Sequence, residues 1–122
     1  MNYFDLLKKK IIRRNAIICV IGLGYVGSGI LKSFHAKGFK TIGVDIDPEK
    51  IKKKFENKNL ILTENYKNIK IADVIIIALP TPLTKNLNPD LSFLKKSLKL
   101  MSPYLKKGQL ISLESSTYPG TT

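Results

Sequence analysis

The sequence predicts an α/β domain, a parallel sheet wound with helices on both faces, and three observations carry that prediction. Apolar runs without polar alternation recur, most clearly at 16–21 and 72–79, as strands covered on both faces require. Between the runs lie segments with apolar residues at i, i+3 and i+4, long enough to cross from one parallel strand to the next. Finally, 122 residues with 43% hydrophobic and 25% charged content suffice for one such core and leave no room for a second domain.

Residues 1–15 read as a short basic helix ahead of the domain at 16–122, with Phe4, Leu6, Leu7 and Ile11 on one side and a Lys/Arg face on the other. Residues 16–21 (Ala-Ile-Ile-Cys-Val-Ile) are β-branched, apolar and bounded by glycine, the pattern of a central strand. From 25 to 37 the period turns helical through Val26, Ile30, Leu31 and Phe34, and Gly38 stands where a left-handed residue ends a helix. A second strand is expected at 41–45. Asp47-Pro48-Glu49 then supplies a capping side chain, a proline for the first helical position and an acid for the first turn, so a helix starts there and runs to about residue 57. A third strand is expected at 60–62, a loop or short helix at 64–70, and a further buried strand at 72–79 that Pro80-Thr81-Pro82 stops. The stretch 83–89 is a polar loop. Asp90 or Ser92 caps a helix reaching 105, Lys107-Gly108 ends it, 109–113 is a fifth strand, and 114–122 is polar and rich in turn residues.

The charge balance narrows the classes of function less than its size suggests. There are 21 Lys+Arg against 9 Asp+Glu, a net charge of +12. All the basic residues except Arg13 and Arg14 are lysines, and they are spread along the chain without an Arg-aromatic cluster or a recognised binding motif, so they read as solvated surface. No specific nucleic-acid partner is expected. The lone Cys19 allows no intramolecular disulfide and no paired-cysteine metal site, and a reducing cytoplasmic setting fits it. The basic start followed by an apolar run superficially copies a secretory signal. The run carries glycines with a purpose of their own and no convincing cleavage site follows it, so that reading is set aside. No apolar stretch approaches the ~20 residues a membrane span needs, and no membrane partner is expected.

The chemistry sits in Gly22-Leu23-Gly24-Tyr25-Val26-Gly27, a G-x-G-x-x-G that follows a strand and opens a helix. Gly22 lets the chain turn sharply, Gly24 lets a pyrophosphate approach bare backbone, and Gly27 lets helix and strand pack closely. The free amides and positive dipole end of the helix would then hold the diphosphate. Asp45, at the end of the second strand and 23 residues after Gly22, is placed to accept both hydroxyls of an adenosine ribose. A carboxylate there favours NAD over NADP, whose extra phosphate it would repel. Asp47 is the rival acid, but its place before Pro48 suits a helix cap. The fold class is therefore a Rossmann-type doubly wound sheet in a single domain.

Four segments in order, Gly22–Gly27, Val44-Asp45-Ile46-Asp47, residues 72–83 (Ala-Asp-Val-Ile-Ile-Ile-Ala-Leu-Pro-Thr-Pro-Leu) and residues 113–122 (Leu-Glu-Ser-Ser-Thr-Tyr-Pro-Gly-Thr-Thr), resemble the NAD-binding domain of the UDP-glucose/GDP-mannose dehydrogenase family. The last segment is most similar to the branch acting on UDP-N-acetylglucosamine or UDP-N-acetylmannosamine. The resemblance implies NAD as cofactor, a UDP-sugar as substrate, and two-step oxidation of its primary alcohol to a uronate through a cysteine-bound intermediate. It also implies a cofactor site of Gly22, Gly24, Tyr25, Val26 and Gly27 at the pyrophosphate, Asp45 at the adenine ribose and Lys50 at the adenosine edge. Pro80, Thr81 and Thr117 would line the nicotinamide side. The last two also fall just past strand ends, where open α/β sheets bind ligands. Polysaccharide-precursor synthesis is the setting the family implies.

The family's nucleophilic cysteine and sugar-binding domain lie beyond the last segment, so the expectation is a truncated cofactor domain with no catalytic residue of its own and no turnover alone. Cys19 falls inside a strand with no base beside it, and such thiols are inert. His35 falls mid-helix beside Phe34 as a surface residue. A sheet ending at an open edge, with helices missing their usual cover, predicts self-association as a dimer or larger. Two other readings stay open: the same domain in a hydroxyacid or hydroxyacyl dehydrogenase, and a basic module that meets nucleic acid.

Overall fold

In the computed structural model five parallel strands form one sheet in the order β3-β2-β1-β4-β5. The structure describes residues 2–51, 59–79, 85, 86, 88 and 90–114, apart from the side chains of Pro48, Lys50 and Phe93. In chain order the elements are α1 (Tyr3–Ile12), β1 (Ile17–Ile21), α2 (Tyr25–Ala36), β2 (Lys40–Val44), α3 (Pro48–Ile51), β3 (Leu60–Thr63), β4 (Val74–Ile77), α4 (Ser92–Met101) and β5 (Leu110–Leu113). Two 3₁₀ turns, Tyr66–Ile71 and Ser102–Tyr104, precede β4 and follow α4.

β1 takes the centre because it is apolar on both faces. Ile18 lies in register with Thr41 of β2 and Val74 of β4, and alternation along the strand then divides its side chains between two cores. Ile18 and Val20 pack with Leu31 of α2 and Leu60 of β3 on one face. Cys19 and Ile21 pack with Tyr66 and Ile69 of the first 3₁₀ turn and Met101 of α4 on the other. Each fully buried Ile, Leu or Val contributes about 1.5–3 kcal/mol, which is why the apolar runs dominate the architecture.

The carboxyl end of α2 follows the sequence closely. Gly38, at φ 93°, donates to the His35 carbonyl, while the Phe39 N–H reaches the Phe34 carbonyl at 3.2 Å. The Phe34 and Phe39 rings meet edge to face with centroids 5.5 Å apart, completing a Schellman cap with its apolar contact. α1 sits at the amino-terminal end of the sheet: the Lys10 ammonium is 2.9 Å from Asp73 Oδ1, and Asp73 Oδ2 accepts the Ile17 N–H at 2.9 Å.

Three expectations are corrected. Of the face expected on α1, Leu7 packs on the core while Phe4, Leu6 and Ile11 are exposed; Tyr3, itself largely exposed, lies against Gly108, and Lys10 bridges to Asp73. The strand expected at 72–79 is Val74–Ile77, because the Ala72 N–H closes the preceding 3₁₀ turn on Ile69. The helix expected to reach 105 ends at Met101 and tightens to 3₁₀ through Pro103, which has no N–H to continue the α pattern. The helix expected from Asp47 is described over Pro48–Ile51, and 52–58 lie outside the described residues. At the sheet edge β5 leaves Leu110, Ile111 and Leu113 exposed. Among the described residues no helix is long and apolar enough to cross a membrane.

Candidate functional site

Because β2 and β4 flank β1 on opposite sides, the connections after β1 and β4 diverge, and a crevice opens at their carboxyl ends. A cleft of about 450 Å³ lies there, and Gly22, Gly24, Tyr25, Val26, Asp45 and Asp47 all line it. Six residues singled out from the sequence thus lie together in the structure.

The turn after β1 is built by exclusion. Gly22 adopts φ 95°, and a Cβ on it would come within 2.7 Å of the Ala78 carbonyl oxygen. A Cβ on Gly27 would fall 1.7 Å from the Gly22 carbonyl oxygen, so α2 can lie against the turn only if that residue has none. Gly24 differs: an added Cβ meets no protein atom within 4 Å, so the space beside this backbone is open. Gly24 is also the N-cap of α2 and brings no side chain to cap it. The Tyr25 and Val26 N–H groups have no intrahelical carbonyl within reach, and they carry the positive end of the helix dipole. Open space beside bare amides is what a diphosphate requires. The Ser28 hydroxyl, which sequence reasoning passed over, donates to the Leu23 carbonyl at 2.9 Å and fixes the turn from beneath. Tyr25 is 98% exposed at the cleft mouth.

Asp45 follows directly after β2. Its Oδ2 accepts the Leu23 N–H at 2.8 Å and its Oδ1 accepts the Asp47 N–H at 2.9 Å. The carboxylate is thus tied to the glycine turn itself. An ionised carboxylate has about four acceptor positions, so two remain for the hydroxyls of a ribose. Asp47 Oδ1 accepts the Glu49 N–H at 3.0 Å, which makes Asp47 the cap of α3, as its place before Pro48 implied. Lys50 belongs to α3, and its side chain lies outside the described residues, as do Pro80, Thr81 and Thr117.

The remaining wall comprises Val44, Ile46, Ala78, Leu79, Tyr66, Lys96, Ser97 and Leu100. Part of it, at Tyr66, Lys96, Ser97 and Leu100, lies outside the segments that the sequence singles out. The Tyr66 and Ser97 hydroxyls are 2.9 Å apart and buried, and either can donate to the other. Burial pushes the Tyr66 phenol above its ordinary value; the Ser97 hydrogen bond opposes this and the nearby Asp45 charge adds to it, so the phenol keeps its proton at neutral pH. One signal was available: Leu94, Ser97 and Met101 form an inward i, i+3, i+7 row on α4, in which a serine stands out. Cys19 is buried in β1 with its thiol pushed up to about 12 by desolvation, which removes it as a nucleophile. His35 sits half-buried near the end of α2 and does not line the cleft.

Known proteins resemble this chain over most of its length. The model of the UDP-glucose/GDP-mannose dehydrogenase family, NAD binding domain, matches residues 16–64 and 49–122. A UDP-N-acetyl-D-mannosamine dehydrogenase of Methanocaldococcus jannaschii is 38% identical over 124 residues, covering 86% of this chain and 29% of the relative. The protein CapL of Staphylococcus aureus is 37% identical over 122 residues, covering 88% of this chain and 28% of its own length. Among solved structures, the UDP-D-ManNAc dehydrogenase of Pyrococcus horikoshii superposes with a TM-score of 0.73 at 30% identity over 87% of this chain and 30% of that one. The chain thus spans under a third of the length of these proteins.

Proposed function

This chain belongs to the UDP-glucose/GDP-mannose dehydrogenase family, as its NAD-binding domain, and from that premise we propose that it is the cofactor half of a nucleotide-sugar 6-dehydrogenase. The observation that carries the reading is the tie between Asp45 and the Leu23 N–H at 2.8 Å, which sets a ribose acceptor beside an open glycine turn in one cleft. The diphosphate of NAD rests on the turn at Gly22, Gly24 and Gly27 with the Tyr25 and Val26 amides, and Asp45 accepts the adenine ribose hydroxyls. Lys50 takes the adenosine edge, and Pro80, Thr81 and Thr117 take the nicotinamide side.

The substrate class is a UDP-N-acetylhexosamine, in keeping with the names of the relatives. Converting its primary alcohol to a carboxylate removes two hydrides, one to each of two NAD molecules, while water supplies the second carboxylate oxygen and three protons leave. This chain contributes the binding and orientation of NAD to that sequence. Cys19, buried in β1 away from the cleft with its raised pKa, does not supply the nucleophile of that oxidation. A cytoplasmic location and association with further copies belong to the same reading. The family match favours this over a hydroxyacid or hydroxyacyl dehydrogenase.

Calorimetric titration of the folded chain with NAD and with NADP tests the proposal. Saturable binding of NAD, tighter than that of NADP and weakly dependent on salt, is expected. No NAD binding up to millimolar concentration would overturn it, and strong salt dependence without competition by NAD would point to the lysine surface and a nucleic acid instead.

A further inference from the structure

The glycine turn and Asp45 account for only part of the cleft. A dinucleotide held by its diphosphate at Gly24 and by its adenine ribose at Asp45 directs the base onward from Asp45, since base and 5′ phosphate leave the sugar at different carbons. The lining residues that neither the turn nor the carboxylate uses include Ile46, Leu79 and Leu100, which are apolar, and the hydroxyl pair Tyr66–Ser97. Phe and Ala would fill the same volumes, so two hydroxyls in an apolar layer beside Tyr66's core neighbours Ile69 and Met101 call for a reason.

We propose that the Tyr66–Ser97 pair reads the edge of the adenine ring and fixes affinity for an aminopurine. This rests on the reading of the cleft as an NAD site. The hydrogen-bond accounting supports it. Two hydroxyls carry two protons, and their mutual bond at 2.9 Å uses one. No other hydrogen bond from either hydroxyl is found among the described residues. One proton and spare lone pairs therefore remain. Adenine presents a ring nitrogen that accepts next to an exocyclic amine that donates, and the pair answers both at once. The apolar side chains supply the faces between which a flat ring lies, and they carry no preference for one edge pattern over another.

The test compares NAD with its analogue in which hydrogen replaces the 6-amino group, titrated calorimetrically into the intact chain and into Ser97→Ala and Tyr66→Phe. In the unaltered chain, loss of the amine weakens binding about fivefold, the effect of one neutral hydrogen bond. In each variant NAD binding weakens by a similar factor, and the difference between NAD and the analogue shrinks toward none. Equal binding of the two ligands by the unaltered chain overturns the proposal whether or not the variants fold, and so does an undiminished difference in both folded variants. If the unaltered chain binds neither ligand, the NAD reading itself has failed; if it binds both equally, only the role of the hydroxyl pair has.

Discussion

Replacing Asp45 with alanine separates the cofactor site from the fold that builds it. The substitution removes two acceptors for a ribose and, in the same stroke, the anchors of the Leu23 and Asp47 N–H groups at 2.8 and 2.9 Å. Each hydroxyl bond to a charged acceptor is worth about 1.5–3 kcal/mol, and taking the low end for a site open to water gives roughly 3 kcal/mol for the pair, or about a hundredfold in affinity. The two backbone groups return to partial solvation, so folding stability falls by about 1–2 kcal/mol, less than the loss in binding. NADP responds differently, because the charge that opposes its 2′ phosphate has gone, and the preference for NAD over NADP collapses. Calorimetry with both cofactors, alongside urea unfolding monitored by circular dichroism, reads all three quantities. Retention of NAD affinity within twofold in a folded variant would refute the role given to this carboxylate.

The glycines of the turn should divide by what surrounds them. Gly24→Ala, whose Cβ meets nothing within 4 Å, leaves stability within about 1 kcal/mol yet weakens NAD binding, whereas Gly27→Ala, whose Cβ would stand 1.7 Å from a carbonyl oxygen, destabilises the fold by roughly 3 kcal/mol or more in urea titrations. Cys19 should resist iodoacetamide at neutral pH until the chain is unfolded. Its folded-state pKa of about 12 lies above the ordinary 9.0, and Tyr66 is raised as well, so their contribution to stability is complete below pH 9 and is lost as pH climbs toward 12; a thermal-shift series over that window checks the sign. Asp73→Ala breaks both the Lys10 bridge and the Ile17 N–H bond and costs about 1–2 kcal/mol, while Lys10→Ala, whose side chain is 52% exposed, costs under about 1 kcal/mol.

What the sequence revealed and what it concealed have a common physical origin. The strands of the sheet's centre were legible because burial on both faces leaves an unbroken apolar run, and the glycine turn because its steric demands admit one residue type at Gly22 and Gly27. Asp45 and Asp47 could be told apart because a proline after Asp47 declares a helix start, and the bond from Glu49 N–H to Asp47 follows from it. Where a side chain's role depended on the approach of distant segments, local pattern was silent. Tyr66 and Ser97 stand 31 positions apart and become a pair only when the 3₁₀ turn and α4 cover the same face of the sheet. The contacts of α1 are silent in local pattern for the same reason, since Tyr3 and Lys10 meet Gly108 and Asp73 far along the chain.

If NAD lies against the amides where β1 turns into α2, amide chemical shifts read its position residue by residue. On titration of NAD into the isotopically labelled chain, the Leu23 to Val26 amides and that of Asp45 should shift saturably, with the Lys8, Lys9 and Lys107 amides unmoved. Shifts confined to the lysine-bearing surface, or none at the glycine turn, would contradict that placement.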